Sequence, residues 1–522
     1  MIDKGTYDVI IIGGGITGAG TARDCALRGL KVLLVERGDL AMGASGRNHG
    51  LLHSGARYAV TDSEGASECI VENEILKRIA APYIMNTDGL FITLPEDDLG
   101  YQTTFIEACQ RVGIGAEAIS PEEALRLEPS ANPALIGAVR VPDGSVEPFG
   151  LVAANVLDAR LNGAEVLTYH KVVGFVRSGN RIEGVELRDM TTGESVRATA
   201  SVTVNAAGIW GAAIAQMAGV EVRMYPAKGS LLVFGRRVNK MVINRCRRPA
   251  DADILVPGVG VCVIGATSER IPFEDVDKNE VTARDVDLLL SEGAKLAPQL
   301  SSTRILRAYA GVRPLVADDD DPTGRGISRG IVCLDHAERD GLEGFVTITG
   351  GKLMTYRLMA EMAADMVCRK LGNGAQSTTA TTPLPNIKQR TTEGTSHKTS
   401  HFVAMGKSEK SSPMVCVCEG VSVDDVRGAV ENMGARSVTD LRRRMRLGMG
   451  GCMEHFCSLR AAGVLAEQEG AEVTSVLEGV EQFLDERWRG VRPVAWGESL
   501  AAAQFTRWYY GGVCGLTKKE NE

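Results

Sequence analysis

The sequence lacks any apolar run long enough to cross a bilayer, and its charges are nearly balanced. No stretch of roughly 18 apolar residues occurs, so we expect no transmembrane helix. The net charge of -8 is small for 522 residues and argues against nonspecific nucleic-acid binding, which needs a basic surface. The first apolar strand begins within a few residues of Met1, which leaves no room for a signal peptide. We therefore expect a cytoplasmic protein that binds no nucleic acid.

Most of the 12 cysteines stand alone in the sequence. In a reducing compartment such cysteines are packed or unreactive thiols. The isolated ones are Cys25, Cys69, Cys109, Cys246, Cys262, Cys333, Cys368 and Cys514. The remaining four form two close pairs near the C-terminus and call for a separate explanation.

The chain is too long for one hydrophobic core, so we expect several domains. Strand-like runs alternate with helical patterns over residues 1–371, where helices are predicted at 64–80, 121–127, 149–162 and 353–371. Residues 372–412 are rich in Ser, Thr, Gly, Pro and Lys and read as a mobile linker. A small cysteine-bearing domain is predicted at 413–469 and a helical tail at 470–522.

The most specific motif is the glycine run after the first strand. The apolar run 8–12 ends at Gly13, Gly15 and Gly18, which are spaced G-x-G-x-x-G, and a second apolar strand ends in Glu36. The first glycine permits a tight turn, the second lets a pyrophosphate approach the backbone, and the third lets helix and strand pack closely. The helix N-terminus attracts phosphates, and Glu36 can accept hydrogen bonds from a ribose. The motif predicts a dinucleotide site; a glycine-rich surface turn would leave the strand, helix and acid unexplained.

Three further segments favour a flavin as the dinucleotide. Residues 205–211 end a strand with small side chains that let it pass close to a cofactor. Gly350 and Gly351 separate a strand from a helix, whose N-terminus can face an anion or the electron-rich end of a reduced ring. The loop 37–62 is long and polar, as expected of a segment that covers a cofactor.

Together these features resemble the FAD-dependent oxidoreductases of the glycerol-3-phosphate dehydrogenase type, which are built like the amino-acid oxidases. Residues 44–58, 309–315 and 350–357 are similar to the substrate-site blocks of that family. The resemblance implies an α/β fold in which a Rossmann-like FAD-binding domain is interleaved with an antiparallel-sheet substrate domain. With the cysteine domain included, nearly the whole chain resembles the large catalytic subunits of the anaerobic, multi-subunit members. The resemblance implies an FAD site made of Gly13, Gly15, Gly18, Glu36, Arg37, Ser45, His49, Ala207, Gly208, Gly350 and Gly351.

A glycerol phosphate carries about two negative charges, so its site needs several cations. Arg57, Arg313 and Lys352 come from three separate segments. The resemblance implies that Arg313 and Lys352 hold the substrate, surrounded by Arg57, Tyr58 and His53, with a hydroxyl contact from Thr355. The ordinary alternative for each cation is a salt bridge or a solvated surface position.

The implied chemistry is oxidation of a secondary alcohol to a ketone, with hydride transfer to the flavin and proton transfer to a base. His53 is the candidate base and His49 the second choice, because a histidine pKa lies near working pH. The alternative for either histidine is an ordinary hydrogen-bonded loop residue.

The two cysteine pairs have the spacing Cys416-x-Cys418, then 33 residues, then Cys452-x4-Cys457. Four thiolates suit zinc or an iron–sulfur cluster, but C-x-C fits structural zinc sites poorly. The segment resembles the [2Fe–2S] domain of bacterioferritin-associated ferredoxin, with Gly448–Cys452 as the glycine-rich approach to the second pair. We therefore expect a [2Fe–2S] cluster, with zinc and unliganded thiols as alternatives.

Shortly before the second pair, the run Arg442–Arg446 contains four arginines. They can stabilise a reduced, anionic cluster, form a solvated helix face or serve as a docking patch for a partner. The sequence does not choose among these three.

The resemblance implies a quinone-linked dehydrogenase that converts sn-glycerol 3-phosphate to dihydroxyacetone phosphate. Electrons would leave through the cluster to a second flavoprotein subunit, then to a membrane-associated iron–sulfur subunit, and finally to a membrane quinone. This route implies peripheral association with the cytoplasmic face of the inner membrane. Two alternatives remain. One is a related FAD-dependent oxidase of amino acids or 2-hydroxy acids, and the other is an electron-transfer scaffold protein without its own substrate site.

Overall fold

The computed structural model describes residues 2–316, 330–387, 412–452, 456–469 and 473–516. The strands are β1 (Ile2–Ile12), β2 (Val32–Val35), β3 (Leu51–Leu52), β4 (Ile84–Met85), β5 (Gly89–Thr93), β6 (Glu117–Ile119), β7 (Gly137–Val141), β8 (Gly144–Val146), β9 (Glu165–Leu167), β10 (His170–Ser178), β11 (Arg181–Asp189), β12 (Ser195–Asn205), β13 (Tyr225–Phe234), β14 (Val242–Arg245), β15 (Ile254–Pro257), β16 (Cys262–Gly265), β17 (Glu269–Arg270), β18 (Ile305–Leu315), β19 (Ile331–Asp335), β20 (Phe345–Gly350), β21 (Met414–Cys416) and β22 (Val421–Ser422). The α-helices are α1 (Ile16–Leu27), α2 (Ser63–Ile79), α3 (Tyr101–Arg111), α4 (Pro121–Leu127), α5 (Pro148–Leu161), α6 (Gly211–Met217), α7 (Ala283–Leu296), α8 (His336–Asp340), α9 (Tyr356–Leu371), α10 (Val423–Met433), α11 (Val438–Met445), α12 (Cys457–Glu469), α13 (Val473–Val491) and α14 (Gly497–Arg507). None of these helices has the length and apolar character needed to cross a bilayer.

The first sheet has a parallel centre in the order β9-β2-β1-β12-β20. Strand β2 and the second half of β1, Val9–Ile12, are apolar and buried, as expected for strands covered on both faces. Helix α1 contacts both α5 and α9, and these helices contribute to one apolar cluster with β1 and β2. The carboxyl ends of β1 and β12 meet at the glycine turn, which is where doubly wound folds bind their ligands. This confirms the Rossmann-like prediction.

The second sheet has the order β17-β13-β16-β15-β14-β5-β7-β6, with β18 added to β13. All of its pairs are antiparallel except β14 with β5, which is parallel. Strands β5–β7 lie in the chain between β2 and β9 of the first sheet, so the two parts are interleaved as predicted. Strand β18 places Arg313 opposite Ala227 of β13.

The C-terminal part consists of the hairpin β21–β22 and helices α10–α14. Its apolar core contains Val415 and Leu441 from the cysteine-bearing segment and also Phe483 and Tyr510 from the predicted tail. The tail therefore shares a core with the cysteine-bearing segment instead of extending from it.

The predicted linker begins as a packed segment. Leu384 is buried, and its N–H donates to the carbonyl of Ile79 at 2.8 Å. The hydroxyl of Tyr83 donates to the carbonyl of Pro385 at 2.6 Å. These contacts fix residues 372–387 on the oxidoreductase part, in contrast to the mobility expected of them, and residues 388–411 lie outside the described residues.

Candidate active site

The glycine turn after β1 leaves no space for side chains at two of its positions. Gly13 has a φ of +116°, and a Cβ there would lie 2.6 Å from the carbonyl oxygen of Ala206. A Cβ at Gly18 would lie 1.9 Å from the carbonyl oxygen of Gly13. Gly15 immediately precedes α1. The geometry matches the roles that the G-x-G-x-x-G spacing assigns to the first and third glycines.

Two predicted cofactor residues bind the backbone of this turn. The hydroxyl of Ser45 accepts a hydrogen bond from the N–H of Ile16 at 2.9 Å, within the first turn of α1. The carboxylate of Glu36 accepts from the N–H of Gly14 at 2.7 Å. Burial raises the pKa of Glu36. Both side chains thus lie beside the glycine turn, and their oxygens can accept further hydrogen bonds.

Three further predicted cofactor residues lie at the edge of the turn. Gly208 has a φ of +58°, and Ala207 precedes it. The guanidinium of Arg37 lies 4.4 Å from the ring centroid of Trp210 and forms an exposed ion pair with Asp277 at 2.7 Å. Arg37 therefore covers the outside of the 207–210 segment.

The end of β20 turns sharply into α9. Gly350 and Gly351 have φ values of +77° and +64°, which favour glycine. The buried hydroxyl of Thr355 accepts from the N–H of Lys352 at 3.0 Å and donates to its carbonyl at 3.1 Å. In the structure Thr355 therefore fixes the backbone of Lys352, whereas a direct substrate contact was predicted for it.

Four predicted residues form one continuous cluster beside this turn. The ammonium of Lys352 lies 4.8 Å from the ring centroid of Tyr58. The rings of Tyr58 and His53 are 5.2 Å apart, and those of His53 and His49 are 6.1 Å apart. His53 is 8% exposed. The cluster thus brings the ammonium group of Lys352, the ring of Tyr58 and two imidazole rings close together.

The two predicted arginines contact the second sheet. Arg57 donates to a carboxylate oxygen of Asp253 at 3.3 Å and to the carbonyl of Ala250 at 3.1 Å. Arg313 donates to the carbonyl of Thr267 at 2.9 Å and to the hydroxyl of Ser268 at 3.2 Å. Both guanidinium groups are thus held by residues in loops that adjoin strands of the second sheet.

Residues that sequence reasoning missed hold the loop that carries His49. The hydroxyl of Tyr309 on β18 donates to the carbonyl of Asn48 at 2.7 Å. The amide of Asn48 donates to the carbonyl of Ser45 at 2.7 Å and accepts from the N–H of Gly50 at 2.8 Å. Asn48 and Tyr309 both lie inside the blocks that carry the family resemblance, which is the signal that could have identified them.

The cysteine pairs have surroundings that suit an anionic cluster. A hydrogen bond from the Cys457 thiol lowers the pKa of Cys416 to about 7, and the N–H groups of Gly448 and Glu419 act in the same direction against the effect of burial. A Cβ at Gly450 would lie 2.3 Å from the Cβ of Cys418, so the glycine-rich loop passes directly over that cysteine. Hydrogen bonds from backbone N–H groups to sulfur are one of the factors that set the reduction potential of an iron–sulfur cluster. Among the residues that the structure describes, no three His, Cys, Asp or Glu side chains converge as metal ligands do.

Arg442, Arg443 and Arg444 are buried and Arg446 is half-buried, which excludes the solvated helix face. Arg444 forms two hydrogen bonds with the carboxylate of Asp39, at 2.5 and 3.1 Å, and Arg443 adds a third at 3.1 Å. Arg446 donates to Glu419 at 3.1 Å. Three of the four arginines are thus paired with acids of this chain.

A cavity of about 1610 Å³ lies between the oxidoreductase part and the C-terminal part. Its lining includes His49 on one side and Gly448 and Gly450 on the other. The lining includes neither His53 nor Lys352. The glycine-rich loop is also tied to the oxidoreductase part, because Arg304 donates to the carbonyl of Gly451 at 2.9 Å.

Comparison with known proteins agrees with this division. Residues 8–357 match the family of FAD dependent oxidoreductases, and residues 414–467 match the BFD-like [2Fe-2S] binding domain. The A subunit of the anaerobic glycerol-3-phosphate dehydrogenase of Escherichia coli (strain K12) is 57% identical over 539 aligned residues, which cover 100% of this chain and 99% of that protein. The A1 subunit of the corresponding enzyme from Haloferax volcanii is 38% identical and covers 95% of this chain and 89% of its own length.

Solved structures share the fold. The glycerol-3-phosphate dehydrogenase from Bacillus halodurans, complexed with FAD, has a TM-score of 0.65 at 20% identity and covers 94% of this chain and 96% of its own. Glycine oxidase from Geobacillus kaustophilus has a TM-score of 0.58 at 24% identity, over 73% of this chain and 99% of its own. The full-length identity and the two matched domains show that this chain belongs to the family of anaerobic glycerol-3-phosphate dehydrogenase A subunits, which are FAD-dependent oxidoreductases with a [2Fe–2S]-binding domain.

Proposed function

We propose that this chain oxidises sn-glycerol 3-phosphate to dihydroxyacetone phosphate. The observation that carries the proposal is the cluster in which the Lys352 ammonium lies 4.8 Å from the Tyr58 ring, which in turn contacts His53. A cation beside a buried base is what an anionic alcohol needs for binding and proton removal. The 57% identical relative named glycerol-3-phosphate dehydrogenase supports this substrate.

Each residue of the cluster has a proposed task. Lys352 offers an ammonium with three donors to the phosphate, and Thr355 fixes its backbone. Arg313, on β18, and Arg57, in the turn before α2, add further positive charge. His53 takes the proton of the C2 hydroxyl, with His49 as the second choice. Loss of the hydroxyl proton and of the C2 hydride leaves a ketone, and the hydride carries two electrons.

FAD, bound at the glycine turn, would accept that hydride. The site fits this cofactor because no side chain can occupy Gly13 or Gly18, and Ser45 and Glu36 lie beside them with oxygens that can accept hydrogen bonds. We include Arg37, Ala207 and Gly208 at the edge of the site, and Gly15, Gly350, Gly351 and His49 along the remainder of the cofactor.

We further propose that electrons leave through a [2Fe–2S] cluster held by Cys416, Cys418, Cys452 and Cys457. The shared cavity between the His49 loop and the glycine-rich loop supports this route. The relatives are named as one subunit of a dehydrogenase, which supports work in a multi-subunit complex. We propose a second flavoprotein subunit, a membrane-associated iron–sulfur subunit, and a membrane quinone as the next carriers, and peripheral association with the cytoplasmic face of the membrane.

The test is anaerobic reduction of the purified holoenzyme, with the visible spectrum recorded before and after each addition. We expect glycerol 3-phosphate to bleach the flavin, and glycine and 2-hydroxyglutarate to leave it oxidised. Bleaching by glycine alone would favour an amino-acid oxidase. Bound FAD that none of the three compounds reduces, but dithionite does, would favour an electron-transfer scaffold.

A further inference from the structure

One buried ion-pair cluster joins the two parts of the chain at the loop that covers the glycine turn. The carboxylate of Asp39 is fully buried and receives two hydrogen bonds from Arg444 and one from Arg443. Both guanidinium groups belong to α11 in the C-terminal part, whereas Asp39 follows β2 in the oxidoreductase part. We call Asp39, Arg443 and Arg444 the clamp.

The oxidoreductase end of the clamp is attached directly to the cofactor turn. Two residues after Asp39, the N–H of Ala41 donates to the carbonyl of Gly14 at 3.0 Å. Three residues before it, Glu36 accepts from the N–H of Gly14. The segment 36–41 is therefore bound to the glycine turn on both sides of Asp39, so the position of Asp39 is fixed relative to the flavin site.

The other end of the clamp is close in the chain to the cysteine loop. Helix α11 ends at Met445, and the glycine-rich loop that approaches Cys452 begins at Gly448. A rigid connection therefore runs from the glycine turn through Asp39 and Arg444 to this loop. A surface ion pair could not serve this purpose, because exposed pairs contribute little and exchange readily with water, but both partners of the Arg444–Asp39 pair are 1% exposed.

We propose that Asp39 is a positioning residue for electron transfer, which with Arg443 and Arg444 holds the cysteine-bearing part at a fixed distance from the flavin. The inference rests on the proposed function. Electron transfer between two centres slows steeply as the distance between them grows, whereas hydride transfer from substrate to flavin does not depend on where the cluster lies. The clamp therefore acts on the second step and not on the first.

The test compares Asp39→Asn with wild-type holoenzyme in anaerobic stopped flow with glycerol 3-phosphate. Asparagine keeps the shape but removes the buried carboxylate that Arg443 and Arg444 share. Arg443 keeps its ion pair with Glu486, whereas Arg444 loses its ion pair with Asp39, which weakens docking. Tyr169 and Arg304 still join the two parts, through Asp440 and Gly451, so the domain loosens without detaching. We expect flavin bleaching to stay within about twofold of wild type and cluster reduction to slow by about tenfold or more, which corresponds to about 1.4 kcal/mol.

Two further variants and one additional measurement complete the design. Arg444→Lys keeps the charge but loses the two-pronged geometry, so we expect an intermediate rate, and this variant stands in if Asp39→Asn does not fold. Glu123→Gln removes an exposed ion pair with Arg126 within α4 and should change neither rate. The midpoint potential of the cluster is measured for each variant, and a slower rate that a lower potential explains would overturn the positioning role.

Equal rates of cluster reduction in all variants, or equal slowing of bleaching and cluster reduction, would also overturn it. Failure of glycerol 3-phosphate to bleach the wild-type flavin would instead contradict the proposed function, so the two failures are distinguishable.

Discussion

Replacing Gly18 by alanine tests whether the glycine turn holds FAD. A Cβ at this position would lie 1.9 Å from the carbonyl oxygen of Gly13, and real Cβ contacts essentially never fall below 3.0 Å. Because the obstacle is backbone, α1 and β1 must separate by about 1.1 Å, the difference between these two distances. The same movement displaces the turn that is proposed to bind the cofactor phosphates.

The magnitude follows from the cost of overpacking. Forcing a methyl group into a well-packed site costs about 1–3 kcal/mol. If the turn relaxes in the free protein and must be compressed to bind the cofactor, FAD affinity falls by about 5- to 150-fold. We expect Gly18→Ala to be purified with little flavin and to need excess FAD for activity. The measurement is the absorbance ratio of flavin to protein, followed by titration with FAD.

Two other glycines separate this cause from general damage. A Cβ at Gly20, also on α1, would lie 2.8 Å from the Tyr356 ring, so Gly20→Ala crowds a side chain and not the turn. Gly463 on α12 has nothing within 4 Å of its Cβ position, and Gly463→Ala should keep full flavin content. Wild-type flavin content and affinity in Gly18→Ala would refute the assignment of the turn to the cofactor.

Three further predictions concern the substrate site, a buried ion pair and a histidine. Lys352→Ala should raise KM for glycerol 3-phosphate about tenfold or more with unchanged FAD content, because it removes the ammonium group proposed to bind the substrate phosphate. Steady-state kinetics with an artificial dye as electron acceptor measure KM. An unchanged KM would exclude Lys352 from the substrate site. Glu72→Gln should destabilise the oxidoreductase part by about 1–3 kcal/mol, because Arg357 loses its buried carboxylate and keeps only the ion pair with Glu361. Denaturant unfolding measures the loss, and Glu74→Gln, on the same helix, should cost far less. Burial lowers the pKa of His336, so below its unfolded pKa of about 6.5 the unfolded state binds more protons and the free energy of unfolding falls. Between about pH 7.5 and pH 5.5 the melting temperature should therefore fall less steeply in His336→Gln than in wild type. Equal slopes would contradict a lowered pKa of His336 in the folded state.

Most of the correct fold predictions depended on patterns within short stretches of sequence. The glycine spacing, the strand before it and the helix after it lie within some twenty residues, so a short stretch fixes the turn. The predicted helix 149–162 is observed as Pro148–Leu161 and the predicted helix 64–80 as Ser63–Ile79. The predicted helix 353–371 begins at Tyr356, because Leu353–Thr355 form a tighter 3-10 turn capped by Thr355.

Features that depend on distant parts of the chain could not be predicted in this way. Asp39 and Arg444 are separated by 405 positions, and neither the loop nor the arginine run carries a local pattern that indicates the other. A charge run is usually solvated, so burial of this run could be known only from the structure. For the same reason the packing of Phe483 and Tyr510 into the cysteine-bearing core was missed, because apolar helix faces do not indicate which core they enter.

The two candidate bases differ in the space that they face, and this difference favours His53. His49 lines the cavity shared with the glycine-rich loop, whereas His53 does not. His53 contacts Tyr58, whose ring contacts the ammonium of Lys352, so it lies on the side where the substrate phosphate is proposed to bind. A base must reach the hydroxyl of a bound substrate. His49 borders the cavity between the two parts of the chain instead, which makes it the weaker candidate. The contact with Tyr58 supports the proposed role of His53 in substrate oxidation, whereas His49 borders the cavity shared with the C-terminal part.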